Sequence, residues 1–193
     1  MTVATEMLCQ SARSQLVVID VQERLASAMD KKVREHLLDN AARLIQAAGL
    51  LEIPVRRTEQ YPKGLGPTEP ALAELLAALP NGGAAVEKTA FSCCAVEDFN
   101  AAVDSSPERH QVVLTGMESH VCVLQTALEL QAAGRQVFVV ADAVCSRTKA
   151  NHKNALRRLA AAGVVVSNTE SVLFEWMRDA RHPQFKAISK LLK

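Results

Sequence analysis

The chain has 193 residues, of which 49% are hydrophobic and 22% charged, values typical of one globular α/β domain with a sizeable core. A formal net charge of +1 without any block of like charges argues against a nucleic-acid partner. No apolar run approaches the roughly 20 residues that span a bilayer, and the cysteines form no disulfide framework, so we expect a cytoplasmic protein with reduced thiols and no membrane association.

In the first half of the chain, apolar β-rich runs alternate with runs of helical periodicity. In chain order they predict a strand over 15–21, a helix over 31–48 closed by Gly49, a strand over 53–58, a turn-rich loop over 59–67, a helix over 70–79 ended by turn residues 80–83, and a strand over 84–88.

The second half repeats this alternation. It predicts a helix over 95–103, a strand over 111–115, a helix over 121–133 stopped by Gly134, a strand over 136–141, a helix over 149–162 capped by Gly163, a strand over 164–167 and a last helix over 169–177. Six strands separated by helices predict a parallel sheet covered on both faces, a three-layer αβα sandwich of Rossmann-like architecture. We place one domain at 15–180, between an N-terminal extension (1–14) and a C-terminal tail (181–193).

Three polar residues stand at the ends of predicted strands, where open α/β sheets bind their ligands. Asp20 ends the first strand, Lys88 ends the third, and Cys122 follows the fourth. Each has a structural interpretation of its own, as a turn acid, a solvated lysine or a buried cysteine. If the strands are neighbours, an acid, an ammonium and a thiol meet in one crevice, and together they predict nucleophilic acyl chemistry.

The charges suggest a role for each group. A thiol at a strand-to-helix junction lies near the positive end of the helix dipole, so we expect Cys122 to become a nucleophilic thiolate near neutral pH. The Asp20 carboxylate can take the thiol proton and return it to a leaving group, while Lys88 stabilises the anionic sulfur and holds the carboxylate.

Other arrangements of reactive residues lack the required spacing. His120 lies two residues before Cys122, about 200° round a helix, which disfavours a pair of the papain type. Adjacent Cys93 and Cys94 lack the spacing of a zinc site. Neither the dinucleotide-binding glycine fingerprint nor the G-x-S-x-G elbow of serine hydrolases occurs, and we expect no cofactor.

Three motifs occur in a characteristic order: LVVIDVQ over 16–22, EKTAFS over 87–92 and GMESHVCV over 116–123. The ordered set resembles the isochorismatase-like cysteine hydrolase family and extends from about residue 15 to the strand at 164. Residues 58–66 and 141–144 are most similar to the subgroup of isochorismatase domain-containing proteins.

The resemblance implies roles by position. Asp20, Lys88 and Cys122 match the family's catalytic triad, and the Met117–Glu118 bond matches its non-proline cis peptide. The backbone N–H groups of Glu118 and Cys122 are then the candidate oxyanion hole.

We also expect a substrate pocket beside the triad. Gln22 resembles a residue that helps to order the pocket in the family, and its other predicted members are Tyr61, Phe91, Met117, Ser119 and His120. Nicotinamidase-like relatives bind a divalent metal through an Asp and paired histidines after the second strand. Here that loop offers Glu59, Gln60 and Tyr61, so we expect no metal.

We interpret the chain as a hydrolase of a small molecule that cleaves an amide-like C–N bond through a Cys122 thioester. One alternative is a redox-responsive protein whose Cys122 reacts with oxidants. Another is a non-catalytic protein that assembles through apolar helices such as 71–79 or through residues 174–177. Either way, apolar Leu173, Phe174 and Trp176 predict a homo-oligomer.

Overall fold

The chain is described here by a computed structural model covering residues 7–80 and 84–193. Its centre is a six-stranded, all-parallel sheet in the order β3-β2-β1-β4-β5-β6. The strands are β1 (Ser14–Ile19), β2 (Val55–Gln60), β3 (Val86–Lys88), β4 (Gln111–Met117), β5 (Gln136–Cys145) and β6 (Val165–Ser167). The predicted parallel sheet is confirmed. Residues 1–6 of the predicted N-terminal extension and 81–83 of the predicted turn lie outside the described ranges.

Helices cover both faces of the sheet, which confirms the predicted sandwich. They are α1 (Glu23–Ser27), α2 (Lys31–Leu50), α3 (Pro62–Leu65), α4 (Pro70–Ala77), α5 (Glu97–Asp104), α6 (Leu124–Ala132), α7 (Lys149–Ala161), α8 (Thr169–Met177) and α9 (Phe185–Leu191). Within the residues that the structure covers, no helix is both long and apolar enough to cross a bilayer.

The central strand β1 is buried on both faces, as its continuous apolar run indicates. Leu16 and Val18 pack on one side with α2, α4, α8 and α9. Val17 and Ile19 pack on the other side with α5, α6 and α7. The carboxyl end of β1 therefore lies in the middle of the molecule, with β2 and β4 on either side.

The predicted end of the first long helix is wrong, because α2 continues through Gly49 to Leu50. A Cβ atom at Gly49 would lie 2.5 Å from Cδ2 of Leu79. Gly49 thus allows the segment after α4 to pack closely on α2, and it is a packing residue rather than a helix stop.

The strand ends near the site run further than predicted. β2 continues to Gln60, and β5 continues to Cys145 after a register shift against β4 between Leu114 and Gly116. A π-helical turn, Ser119–Val123, precedes α6 where we predicted the first turn of an α-helix.

The apolar surface predicted near the C-terminus is wrong for two of its three residues. Leu173 and Trp176 are buried, and Nε1 of Trp176 donates to Oγ of Ser14 at 3.0 Å. Phe174 is partly exposed and packs against Phe185 of α9, with ring centroids 6.2 Å apart. Two of the three residues are therefore core, and the homo-oligomer stays a prediction. The predicted tail, 181–193, includes α9.

Candidate active site

The chain turns sharply where β1 ends, and this turn presents Asp20. Asp20 has φ +52°, in the left-handed region that Asp and Asn adopt more readily than most residues. Its backbone N–H donates to the Thr58 carbonyl at 3.2 Å, and its carbonyl accepts from Gln22 N at 2.9 Å. These bonds fix the Asp20 side chain at the carboxyl edge of the sheet, between β2 and β4.

Lys88 reaches from the end of β3 past β2 to Asp20. Its Nζ lies 2.7 Å from Oδ2 of Asp20, and both side chains are fully buried. Nζ also donates to Oε1 of Gln60 at 2.7 Å and to the carbonyls of Phe91 at 3.1 Å and Ala90 at 3.2 Å. The ammonium is thus surrounded by acceptors, as a buried charge must be.

The balance of charges keeps Lys88 protonated. Burial alone lowers the pKa of its ammonium, but the Asp20 carboxylate, with smaller contributions from Cys93 and Cys122, outweighs this and raises the pKa above its ordinary value. The two groups form a true ion pair, since the carboxylate and the ammonium stabilise each other's charge.

Cys122 lies in the π-helical turn and is only 4% exposed. The Asp20 carboxylate and the Lys88 ammonium are close enough to act on its thiol electrostatically. Burial first and the Asp20 charge second raise the pKa of this thiol to about 12, although Lys88 acts in the opposite direction. The expected resting thiolate is therefore wrong: the thiol keeps its proton, and the Asp20 carboxylate that raises its pKa is the nearby group that can accept it.

The peptide bond between Met117 and Glu118 is cis, and the π-helical turn follows directly. The Glu118 carboxylate accepts from the backbone N of Arg147 at 2.9 Å and from its Nε at 3.2 Å. These bonds anchor the turn to the segment after β5. The oxyanion-hole role of the Glu118 and Cys122 N–H groups stays a prediction.

Gln22 fastens the loop after β2, and its role in ordering a substrate pocket stays a prediction. Its Nε2 donates to the carbonyls of Gly66 at 2.7 Å and Gln60 at 3.0 Å, and its Oε1 accepts from Gln60 N at 2.7 Å. Tyr61, half-exposed in this loop, lines a cavity of about 470 Å³ with Lys88. Phe91 is 55% exposed next to the carbonyls that hold Lys88. Their pocket roles stay predictions.

The remaining predicted pocket residues face other neighbours. Met117 is fully buried in the core cluster on the α2 side, so its side chain is core rather than pocket wall. Ser119 Oγ lies 3.0 Å from Nδ1 of His152, and His120 Nδ1 lies 3.0 Å from Oγ of Ser146. Ser119 and His120 thus connect the turn to α7 and the segment before it.

Thr58, Gln60 and Cys93 complete the site, although the sequence did not point to them as functional. Thr58 Oγ1 donates to Oδ1 of Asp20 at 2.7 Å, and Cys93 Sγ lies 3.8 Å from Thr58 Oγ1. A signal was present in β2, where Thr58 and Gln60 place polar side chains on one face at the end of an inner strand.

Nothing in the described ranges, 7–80 and 84–193, groups three or more His, Cys, Asp or Glu side chains as a metal site requires. Glu59, in the loop where metal ligands occur in nicotinamidase-like proteins, is buried and accepts from the backbone N and Oγ1 of Thr68 at 2.8 and 2.6 Å. It therefore has a structural role.

Known proteins resemble this chain in sequence and in fold. The isochorismatase domain profile matches residues 14–171. Isochorismatase domain-containing protein 2 of Danio rerio is 41% identical over 179 residues, 93% of this chain and 86% of that protein.

Two solved structures superpose closely on this fold. One, described as a MAR1 ribonuclease from Caenorhabditis elegans, is 36% identical with a TM-score of 0.87 and covers 96% of this chain and 92% of its own. The other is YcaC from Pseudomonas aeruginosa with hexane-2,5-diol and covalent acrylamide. It is 26% identical with a TM-score of 0.87, covering 95% of this chain and 91% of its own.

Proposed function

The chain belongs to the isochorismatase domain family, and from this premise we propose that it is a cysteine hydrolase that cleaves an amide-like C–N bond of a small molecule. Family membership supports hydrolysis in general. The nucleophile and the intermediate are inferred from the arrangement of Asp20, Lys88 and Cys122, and the amide-like C–N bond is inferred from the resemblance to cysteine hydrolases of this family.

In the proposed reaction, Cys122 attacks the carbonyl carbon while its proton moves to Asp20, whose negative charge acts on the thiol. The N–H groups of Glu118 and Cys122 would stabilise the oxyanion. Asp20 then returns the proton to the departing nitrogen, leaving a thioester on Cys122. Water, deprotonated by Asp20, hydrolyses the thioester, releases the acid and restores the thiol.

The observation that carries this proposal is the buried ion pair of Asp20 and Lys88, whose carboxylate helps to raise the pKa of the Cys122 thiol. Because the thiol pKa is raised, the proton must leave as the sulfur attacks. The nearby Asp20 carboxylate can accept it. Lys88 keeps its proton throughout, since its pKa is raised as well.

Burial of the reacting groups favours a small substrate. Asp20, Lys88 and Cys122 are each no more than 4% exposed, so little of the sulfur is accessible to a bulky substrate. The covalent acrylamide in YcaC is consistent with a small amide as ligand in this family. The name of the worm protein suggests RNA, but a phosphodiester has no acyl carbon to form a thioester.

The same environment disfavours the redox-responsive alternative. Thiols that sense oxidants are exposed and have a low pKa, whereas Cys122 is buried with a pKa raised to about 12. The second alternative, a non-catalytic protein, differs from the proposed hydrolase in that it would turn over no substrate.

Thioester trapping tests this function. The protein is incubated with a panel of small amides and esters, quenched in acid and analysed by peptide mass spectrometry. We expect an acyl adduct on Cys122 that is absent from Cys122→Ala and from Asp20→Asn, because these lack the nucleophile and the base. Asp20→Asn should lower turnover at least about 100-fold.

Cys9→Ala is the matched control, since Cys9 is another buried thiol with a raised pKa, located beside Glu175. It should form the adduct at the wild-type rate. Full turnover by Cys122→Ala would refute the proposal, as would RNA cleavage that survives this substitution.

A further inference from the structure

Thr58 holds the oxygen of Asp20 that Lys88 leaves free. Its Oγ1 donates to Oδ1 at 2.7 Å, while Lys88 Nζ donates to Oδ2 at 2.7 Å. Two donors on different oxygens define the plane of the carboxylate, because neither rotation about Cα–Cβ nor rotation about Cβ–Cγ preserves both bonds. Thr58 is only 1% exposed, so water cannot readily replace its hydroxyl.

The direction of the Thr58 hydroxyl is itself determined by Cys93. The Cys93 thiol donates to Thr58 Oγ1 at 3.8 Å, and a hydroxyl has one proton to give. Since the lone pair on the Cys93 side is occupied by a donor, the Thr58 proton is directed to Asp20. Cys93 is fully buried, and the thiol keeps its proton because burial raises its pKa to about 12.

The same hydrogen-bond network also reaches α6, the helix that follows Cys122. The backbone N of Cys93 donates to Oγ1 of Thr126 at 3.0 Å, and Thr126 lies in α6, which begins directly after the turn of Cys122. A continuous chain of hydrogen bonds therefore connects the end of β1, the end of β2 and the start of α6.

We propose that Thr58, held by Cys93, is a positioning residue that aims the Asp20 carboxylate at the Cys122 thiol. This inference rests on the function proposed above, in which Asp20 takes the thiol proton. Thr58 lies behind the carboxylate and acts through it, so its loss should lower kcat and leave KM nearly unchanged.

Alkylation of Cys122 by acrylamide tests the role without requiring a known substrate. In this reaction, a sulfur–carbon bond forms as the carbon–carbon double bond of acrylamide is lost, and the thiol proton passes by way of Asp20 to the α-carbon. The adduct is quantified at pH 7 by peptide mass spectrometry. We expect Thr58→Val, which keeps the shape and removes the hydroxyl, to slow alkylation about 10- to 100-fold.

Two further variants test whether loss of the Thr58 hydroxyl is what slows alkylation. Thr58→Ser keeps the hydroxyl and should react within about threefold of wild type. Thr169→Val is the matched control, because Thr169 is also buried and donates its hydroxyl to a carboxylate, Oδ1 of Asp142 at 2.9 Å, outside the triad network. It should leave alkylation unchanged.

An unchanged or faster rate in Thr58→Val would overturn the inference. If the Thr58 hydroxyl only stabilised the negative charge of Asp20, it would make the carboxylate a weaker base toward the thiol proton. Removing the hydroxyl would then speed alkylation. If Thr58→Val does not fold, as judged by its thermal melt, Cys93→Ala decides instead. It should slow alkylation by a smaller factor, and wild-type behaviour would contradict the proposal.

The alkylation test of Thr58 and the thioester test of the proposed function can fail independently. Slow alkylation in Thr58→Val with no thioester from any amide would leave Thr58 as a positioning residue and remove the hydrolase mechanism. If the wild-type protein forms the thioester but Thr58→Val is alkylated at the wild-type rate, the hydrolase mechanism stands and the positioning role of Thr58 is refuted. When a substrate is identified, a fall in kcat at constant KM, restored by Thr58→Ser, completes the test.

Discussion

The ion pair between Asp20 and Lys88 affects folding and chemistry in different ways. Both side chains are fully buried at an N–O distance of 2.7 Å. Transferring two charges out of water is unfavourable, and a buried pair adds little net stability, yet removing one partner leaves the other charge uncompensated. The charges at this position are therefore explained better by a reaction than by a need for stability.

A double-mutant cycle should separate these effects. Lys88→Met leaves the Asp20 carboxylate without its ammonium, and we expect it to lower the free energy of unfolding by about 3–5 kcal/mol. Asp20→Asn should also destabilise, because it leaves the Lys88 charge facing an amide. Since Asn tolerates the φ of +52° at position 20, this loss reflects charge rather than backbone strain. Urea denaturation measures each value.

The double variant, Asp20→Asn with Lys88→Met, should recover most of the lost stability, because it removes both charges together. All three variants should fail to form the Cys122 thioester. If the double variant were as unstable as the sum of the single variants, the two charges would be uncoupled, and an uncompensated buried charge would not explain the loss in either single variant.

At the scale of elements, the site depends on how closely β4 approaches β1 at their carboxyl ends. Gly116 has φ +125°, and a Cβ atom there would lie 2.0 Å from the carbonyl oxygen of Ile19. No side chain fits, and the opposing atoms are backbone that cannot move aside. The glycine thus brings the strand that leads to Cys122 against the strand that presents Asp20.

Gly116→Ala should therefore destabilise severely, by about 4 kcal/mol or more in urea denaturation, and should abolish thioester formation. Gly134→Ala is the control. Gly134 also has positive φ, +84°, but an added Cβ would meet nothing within 4 Å, so the cost should be only the conformational one of about 1–2 kcal/mol. Equal losses in the two variants would show that conformation rather than close strand contact decides.

Patterns of this kind also show what the sequence could predict. The order of strands and helices was predictable because it depends on local periodicity, and the meeting of Asp20, Lys88 and Cys122 followed from the rule that parallel strands share a carboxyl edge. Gly49 misled us because its role depends on Leu79, which is remote in sequence. Thr58 was not identified because an inner-strand threonine is most often structural, and only its 2.7 Å contact with Asp20 distinguishes it.

The protonation state of Cys122 was the largest error, and it arises at the scale of the whole molecule. A helix start suggested a thiolate, but the pKa of the Cys122 thiol is raised first by burial, which is not visible along the chain, and then by the charge of Asp20. Leu173 and Trp176 were misassigned to the surface for the same reason: α2 and β5 pack against the helix that carries them only in the folded protein.

Burial of thiols extends beyond the site, and it should make the whole fold sensitive to alkali. Four of the five cysteines, Cys9, Cys93, Cys122 and Cys145, are buried. Burial is the largest cause that raises the pKa of each, to about 12 for the last three, against an ordinary value of 9.0. Below pH 9 both the folded and the unfolded chain keep these protons.

Between pH 9 and about 12 the unfolded chain releases thiol protons that the folded chain retains. The free energy of unfolding should therefore be constant up to about pH 8.5 and fall above it, by about 1 kcal/mol per buried thiol from pH 9 to 10. The raised pKa of Lys88 keeps the ion pair charged in this window, so the thiols dominate the change. Urea denaturation at intervals from pH 7.5 to 10 measures the slope. Partly buried Cys94, with a pKa raised to about 11, also contributes, so five thiols share the slope. Cys9→Ala removes one of them outside the site and should reduce the slope by about a fifth; a flat profile, or a variant slope equal to wild type, would contradict the assignment of protonated thiols.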